Sequence, residues 1–351
     1  MLIITQLNKT PSVERLVKLW AKRYMSEVAS FYDPLSPDQN HKIFSELVKV
    51  ASLEGRVRTT AKLHQPLIDV KSRMALTQAE MFYTYIPNIL DFQEALRLAK
   101  YVSKICIKLL TVYQQATFIS PSQTSMWEIL DIEQLAKELE PILVEYQEQH
   151  IASHNWRALG FITTLWKFNN KSLLRSLAPI EQAFFNPYLK FVEEQVSIPW
   201  QRVCAVAARH ELSSPTFTLV EQMIPLADEI AQAAYHRLTQ SFPNYCSYTG
   251  RLTEKDVTHS ILRDLNMFQA YLWLCVLEED ITPVEQELVK LCVMVMPSIE
   301  VKWELIIEFL DLLIDEINSR LTKEQSSIVQ PYVSGMLDAF FKARLLLGAT
   351  D

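Results

Sequence analysis

The sequence ILRDLNMFQAYLWLCVLEEDITPVEQELVKL occupies residues 261–291 and carries two successive helical patterns. In the first, Asp264, Phe268, Tyr271 and Cys275 recur at spacings of 4, 3 and 4, which places them on one face of a helix. In the second, Thr282 precedes Pro283, the combination of a capping hydroxyl and a first-turn proline that begins a helix. The segment therefore predicts two consecutive helices, the first of them strongly apolar.

The same helix-start signal recurs along the chain. A hydroxyl residue precedes proline at Thr10-Pro11, Ser36-Pro37, Ser120-Pro121, Ser214-Pro215 and Thr282-Pro283. Capping-box spacing joins Ser36 to Gln39, Thr282 to Glu285, and Thr322 to Gln325. Apolar stripes with helical spacing follow these starts, for example Val13, Leu16, Val17, Trp20 and Tyr24.

The low glycine content supports the same fold class. Only 5 of 351 residues are glycine, whereas sheets rich in tight turns need glycine for positive φ. Apolar and polar residues never alternate for long enough to predict a substantial strand. We therefore predict an all-α protein, with a helical domain over residues 1–190 and a second helical domain over residues 191–351.

Charge and hydropathy exclude several classes of protein. The formal net charge is −7, so the chain lacks the cationic excess of a nucleic-acid-binding protein. No uninterrupted apolar run approaches the roughly 20 residues that cross a bilayer, and the N-terminus lacks the features of a signal peptide. These features predict a cytoplasmic protein that binds no nucleic acid and has no transmembrane segment.

The five cysteines predict neither a disulfide framework nor a zinc site, because their number is odd and none forms a CxxC pair. Cys106, Cys275 and Cys292 lie in apolar helical patterns typical of a core. Cys246 lies in a predicted loop, FPNYCSYTGR, and is the cysteine that we expect to be reactive.

From about residue 214 to residue 341 the chain resembles the phycobiliproteins, the globin-related light-harvesting proteins of cyanobacteria and red algae. Four segments carry the resemblance in consistent order: EIAQAAYHRLTQSFPN (229–244), the segment 261–291, VMPSIEVKWELIIEFLDLLIDEI (295–317) and TKEQSSIVQPYVSGMLDAFF (322–341). The resemblance implies a globin-like C-terminal domain. Among divergent relatives, the chain is most similar to the globins associated with bilin biosynthesis.

In that family a Cys-Leu-Arg-Asp motif binds a linear tetrapyrrole, or bilin. The cysteine forms a thioether, the arginine binds a propionate, and the aspartate accepts hydrogen bonds from pyrrole N–H groups. Arg263 and Asp264 match the last two motif positions, whereas Ile261 stands at the cysteine position. The resemblance therefore implies non-covalent binding of a bilin such as phycocyanobilin or biliverdin.

Three further residues are candidates for bilin contacts. Tyr271 extends the aromatic face that follows Asp264, and His259 could donate to a propionate or a pyrrole oxygen. Cys246 offers an alternative thioether from its loop. The alternative interpretation is that Arg263 and Asp264 are ordinary polar residues at a solvent-exposed helix edge, where an acidic residue in the first turns is favoured.

Other motifs support competing functions less well. The sequence HIASH places His150 and His154 four residues apart, a spacing that can bind a metal but that also fits a helix cap at Ser153. Glu304, Glu308, Asp311 and Asp315 form an acidic stripe, typical either of a solvated helix face or of a magnesium-diphosphate site. We predict no metal site, and no haem, because PVEQELVKLCVMVM (283–296) lacks a proximal histidine.

Two functions remain as hypotheses, and an enzyme is kept as a third possibility only because helical enzymes can lack recognisable motifs. In the first, a non-enzymatic protein carries or scaffolds a bilin in bilin metabolism. In the second, the C-terminal domain is a ligand-free adaptor for phycobilisome assembly, degradation or stress signalling. The expected partners are bilin-synthesis enzymes or phycobilisome components, and the sequence also leaves a homo-oligomer open.

Overall fold

The computed structural model describes residues 9–24, 26–28, 31, 37–82, 92–116, 118–119, 126–129, 134–139, 141–142, 145 and 157–347. Helices dominate this part of the chain, which confirms the predicted all-α class. The chain divides into two compact units. We call residues 21–196 the N-terminal unit, and we call the segment that ends at Trp20, together with the residues from Ser197 onward, the C-terminal unit.

The N-terminal unit is a set of helices with a small sheet. Its helices are α2 (Pro37–Ala51), α3 (Leu53–Lys62), α4 (Gln65–Phe82), α5 (Phe92–Gln115), α6 (Arg157–Leu174) and α7 (Pro179–Ser197), whose last residue begins the other unit. Strands β1 (Ser26–Glu27) and β2 (Phe118–Ile119) pair antiparallel with the two sides of β3 (Met126–Ile129). Helix α4 packs on α5 and α6, with Ser72 of α4 donating to Asn169 Oδ1 of α6 at 3.2 Å.

Helices α2 and α3 meet at a one-residue corner, Ser52. The Ser52 side chain accepts a hydrogen bond from Gly55 N at 3.1 Å and so caps α3. At Gly55 the two helices approach closely, because a Cβ atom there would lie 2.0 Å from the Lys49 carbonyl oxygen. The buried Arg56 side chain donates to the Ala51 carbonyl at the end of α2 and to the Gln114 carbonyl near the end of α5. A cation at two helix C-termini is electrostatically favourable and stabilises this corner.

The C-terminal unit is built from α1 (Pro11–Ala21, which contributes all but its last residue), α8 (Trp200–Val206), α9 (Pro215–Met223), α10 (Ala227–Ser241), α11 (Lys255–Glu278), α12 (Val289–Val295), α13 (Trp303–Asn318) and α14 (Lys323–Leu346). A π-helical turn, Val284–Leu288, precedes α12. Strands β4 (Cys246–Ser247) and β5 (Gly250–Arg251) form a short hairpin before α11.

Helix α11 forms the centre of this unit. Every residue from Leu265 to Leu277 is buried, which explains why the segment is apolar on all sides. Its two buried amides are bonded to the start of α10: Asn266 donates to Asp228 at 3.0 Å, and Gln269 donates to the Ala227 carbonyl at 2.9 Å. These bonds satisfy the amide N–H groups that the burial of α11 removes from water.

Helix α1 belongs to the C-terminal unit although it lies near the start of the chain. Every member of the predicted stripe is buried, the last of them beyond the end of the helix: Val13, Leu16, Val17, Trp20 and Tyr24. Ser12 Oγ donates to the His210 carbonyl at 2.5 Å, and Arg15 forms an ion pair with Glu221. The C-terminal unit is therefore discontinuous in sequence. The domain division 1–190 and 191–351 stays a prediction. Residue 190 lies within α7, and the compact units divide between Val196 and Ser197.

The predicted helix starts can be compared with the structure one by one. Thr10 accepts from Val13 N, and Ser214 accepts from Phe217 N, as the hydroxyl-proline signal predicts. The full capping box at Thr322 and Gln325 is confirmed.

The capping box predicted at Thr282 is wrong. Among the described residues, Asp280 Oδ1 accepts a hydrogen bond from Thr282 N, and Glu285 N donates to the Ile281 carbonyl. Ser36 and Ser120 lie outside the described residues.

We expect Gly55→Ala to destabilise the protein by about 1–3 kcal/mol, because the added methyl group would force α2 and α3 apart. Gly335→Ala is the matched control, since a Cβ at Gly335 would lie 3.0 Å from the Ile281 side chain rather than against backbone. Chemical denaturation followed by circular dichroism measures both. Equal unfolding midpoints for Gly55→Ala and wild type would contradict the close approach.

Candidate functional site

A cleft opens beside the second and third turns of α11, between this helix, the β4–β5 hairpin and α13. It encloses about 80 Å³, or about 620 Å³ when the space open to solvent is included. Its lining is mainly apolar and consists of Leu238, Tyr245, Ser247, Thr249, Leu252, Val257, Ser260, Ile261, Asp264, Phe268, Met296, Ile299, Val301, Leu305, Ile306 and Phe309. Asp264 is the one carboxylate among these lining residues.

Ile261 forms part of the apolar wall. It is half-buried and packs against a cluster of leucines that includes Leu238, Leu252 and Leu305. The position that would hold a thioether-forming cysteine in the bilin motif is therefore occupied by a chemically inert side chain. The wall at this point can contribute only van der Waals contact and exclusion of water.

Arg263 and Asp264 form an ion pair with each other. Arg263 donates to Asp264 Oδ1 from Nε at 3.0 Å and from Nη2 at 2.6 Å. The two side chains are only 17% and 18% exposed, so the pair is partly desolvated and its charges offset each other. Adjacent helical residues do not face each other, so the contact requires the long arginine stem to fold back along the helix.

The second carboxylate oxygen of Asp264 remains an available acceptor. Within the described part of the chain no hydrogen bond is formed by Oδ2, while Oδ1 is taken by Arg263. The cleft thus combines apolar walls with one hydrogen-bond acceptor. This combination suits a flat, apolar ligand that carries N–H donors.

Phe268 closes the inner end of the cleft. Its ring is 1% exposed and packs edge-on against Phe309, with ring centroids 5.0 Å apart, and against Phe340 at 5.3 Å. This aromatic contact limits the depth of the cleft and explains its small enclosed volume. A large planar ligand would have to lie partly outside, across the open side.

Tyr271 does not line the cleft. It lies on the same face of α11 as Asp264, but seven residues separate the two positions by about 10.5 Å along the helix axis, beyond Phe268. Its hydroxyl donates to Glu287 Oε2 at 3.3 Å, and burial, with the charge of Glu287, raises the pKa of Tyr271. Glu287 also accepts from Arg202 at 2.7 Å, and Arg202 pairs with Glu278 at 3.2 Å. Tyr271 therefore belongs to a buried ionic network behind the cleft.

His259 and Cys246 also lie apart from the cleft lining. His259 is exposed on α11, whereas its neighbour Ser260 lines the cleft. Tyr245, Ser247 and Thr249 line the cleft from the hairpin, so the alternation of side chains places the exposed Cys246 on the opposite face. Of the five predicted bilin contacts, Asp264 lines the cleft directly, Arg263 reaches Asp264, and the other three do not line it.

Sequence reasoning missed the hairpin and α13 as cleft walls. The hairpin depends on Gly250, whose φ of 122° lies in a region that side-chain-bearing residues rarely adopt. The sequence Tyr-Thr-Gly-Arg therefore contained a turn signal. The contribution of Val301, Leu305 and Phe309 had no such signal, because it depends on the long-range packing of α13 against α10 and on the contact of Phe309 with Phe268.

The acidic stripe on α13 is a largely solvated face. Glu304, Asp311 and Asp315 are exposed, and Asp315 pairs with Arg237 at 3.0 Å. Among the described residues no cluster of histidine, cysteine or acidic side chains could hold a metal ion. His150 and His154 lie outside the described residues. No described helix has both the length and the apolar character needed to cross a membrane.

Comparison with known proteins agrees with the resemblance. Residues 205–340 match the family described as Phycobilisome protein, which confirms the predicted phycobiliprotein-like segment. No match to the chain was found among curated proteins or among solved structures. The matched segment contains α9–α13, the hairpin and most of α14, so it includes the whole cleft.

We expect one cysteine, Cys246, to react with a thiol reagent in the native protein at pH 8. Cys246 is exposed, whereas Cys106, Cys204, Cys275 and Cys292 are buried. Burial raises the pKa of Cys106 and of Cys275 to about 12, so their reactive thiolate forms are scarce at that pH. Titration with a chromogenic disulfide should detect one reactive thiol per chain in the native protein and five thiols per chain in denaturant. Rapid labelling of Cys246→Ser would contradict this assignment.

Proposed function

We propose that the C-terminal unit binds a linear tetrapyrrole without a covalent bond in the cleft beside Ile261 and Asp264. The protein would act as a carrier or scaffold in bilin metabolism. One observation carries the proposal: Asp264, which matches the bilin-binding aspartate of the family motif, lines an apolar cleft and has an available acceptor oxygen. The match of residues 205–340 to the Phycobilisome protein family supports the choice of ligand class.

The cleft suits one end of a bilin. A pyrrole ring is flat and largely apolar, so the side chains of Phe268, Val301 and Leu305 would cover its faces, while its N–H group would donate to Asp264 Oδ2. An enclosed volume of about 80 Å³ accepts only a fraction of the ligand. The remaining rings would lie in the open part of the cleft, near the hydroxyl groups of Ser247 and Thr249, which can bond to the terminal carbonyl groups.

Arg263 would act through exchange of carboxylate partners. In the structure its guanidinium is bonded to Asp264 Oδ1, and a propionate of the ligand offers the same bidentate geometry. Transfer of Arg263 from Asp264 to the propionate would leave the whole Asp264 carboxylate for pyrrole N–H donors. Arg263 would stay paired with a carboxylate, while Asp264 would exchange the guanidinium for the pyrrole N–H donors, which would then have to offset the cost of its charge in the apolar wall.

Ile261 makes the proposed binding reversible, since no sulfur is available at that position to form a thioether. Reversible binding is what a carrier requires, because the ligand has to be released. The proposed partners are enzymes of bilin synthesis or phycobilisome components in a cyanobacterial cytoplasm. No reaction is assigned to the site.

We expect phycocyanobilin or biliverdin added to the purified protein to change its absorbance spectrum, and Asp264→Asn to weaken binding about 10–100-fold. The variant keeps the shape of the side chain but removes the charge that strengthens its hydrogen bonds. Asp311→Asn, on the exposed face of α13, is the matched control. An unchanged wild-type spectrum, or equal affinities of Asp264→Asn and wild type, would exclude the proposed site.

A second candidate function, a ligand-free adaptor for phycobilisome assembly, degradation or stress signalling, is favoured by the filled inner end of the cleft. Phe268 occupies that end and contacts two other rings, so the unit is well packed without a ligand. Affinity capture with the full chain from a phycobilisome-containing lysate tests this function. Adaptor activity predicts stable capture of phycobilisome components together with unchanged bilin spectra. Bilin binding by wild type that is weakened in Asp264→Asn supports the first candidate.

A further inference from the structure

Helix α4 of the N-terminal unit carries two stripes on opposite faces. The first stripe, Ile68, Ser72, Ala75 and Ala79, is buried at 0–1% exposure and faces the interior of the unit. Its spacings of 4, 3 and 4 follow one face of the helix. This stripe accounts for the packing of α4 on α5 and α6.

The second stripe is apolar but lies in solvent. Val70, Met74 and Met81 are 52%, 55% and 66% exposed, and the exposed Thr77 completes spacings of 4, 3 and 4. Each of these residues follows a member of the buried stripe by two positions, which is about 200° around the helix. The spacing is that of a coiled-coil seam, so the stripe has the geometry of a surface that packs against another helix.

Two opposite charges border this seam on the same side. Arg73 is exposed and Glu80 is half-buried, and each precedes a seam residue by one position. They are seven residues apart, about 10.5 Å along the axis, which is too far for a mutual ion pair. Within the described part of the chain neither side chain has an ion-pair partner.

We propose that a second copy of this chain docks antiparallel on the seam of α4. A two-fold axis at the level of Ala75 and Leu76 would bring Val70 against the partner's Met81, and Met74 against the partner's Thr77. In the same register Arg73 would meet the partner's Glu80, and the symmetry would repeat this pair. The surface is therefore complementary to itself in the positions of its seam residues and in charge.

The orientation follows from the charges. In a parallel arrangement the border position of Arg73 would face the partner's Gln78, so the Arg73–Glu80 pair would not form. Only the antiparallel arrangement satisfies both charges. The seam extends over three turns, about 18 Å, and a contact of this size falls among small, transient interfaces. We therefore expect a reversible dimer whose population depends on protein concentration.

Sedimentation velocity of the full chain over a wide concentration range tests the dimer. Arg73→Glu and Glu80→Arg should each weaken dimerisation at least about fivefold, because two like-charge contacts replace two ion pairs. An equimolar mixture of the two single variants should recover dimerisation, since each copy then presents the charge that the other lacks. The double variant should recover it as well. Residues 73 and 80 are too far apart on one helix to form an ion pair within a chain. Recovery of dimerisation in the double variant therefore requires contact between two copies.

Met74→Lys tests the apolar part of the seam and should give a monomer with an unchanged circular dichroism spectrum. Leu345→Lys, at the exposed apolar end of α14, is the matched control and should leave the dimer intact. A monomer at all concentrations of wild type would overturn the proposal. It would also be overturned by a dimer that survives Met74→Lys, by a dimer that is lost in Leu345→Lys, or by single charge variants that do not recover on mixing.

Discussion

A partly buried arginine, Arg202, holds together the part of the C-terminal unit that supports the cleft. It joins α8 to Glu278 at the end of α11 and to Glu287 in the π-helical turn. Removing one member of such a group leaves a buried charge without compensation, which typically costs about 3–5 kcal/mol. The helix that follows Glu287 leads to Met296 and Ile299, both of which line the cleft. The shape of the candidate site therefore depends on ion pairs that lie behind it.

The cleft itself is governed by a single charge in an apolar wall. An isolated carboxylate among Ile261, Phe268 and Val301 would be costly, and the bonded guanidinium of Arg263 removes most of that cost. The same bond occupies the two groups that the bilin motif would assign to the ligand. The proposed binding would therefore be an exchange of partners rather than the filling of a deep, preformed pocket.

Much of the fold could be predicted from the sequence, because helix starts and helical periodicity are local properties. Ser214 and Thr322 cap helices as predicted, whereas Thr282 does not, since the nearby Asp280 is a better-placed acceptor. The site was predicted only in part. The spacing placed Tyr271 on the same helix face as Asp264 but did not show where along the helix the cleft ends, and Tyr271 lies outside it. The hairpin and α13 walls depend on contacts between residues distant in sequence.

The discontinuous C-terminal unit has a consequence for synthesis on the ribosome. Helix α1 emerges early, yet its partner residues around His210 and Glu221 emerge only after residues 21–196 have been translated. At about 5–20 residues per second this delay is roughly 10–35 s, long enough for the intervening unit to fold first. During that interval the apolar side chains of Leu16 and Trp20 have no native surface to cover them. The nascent chain therefore presents a transient apolar segment that molecular chaperones could recognise.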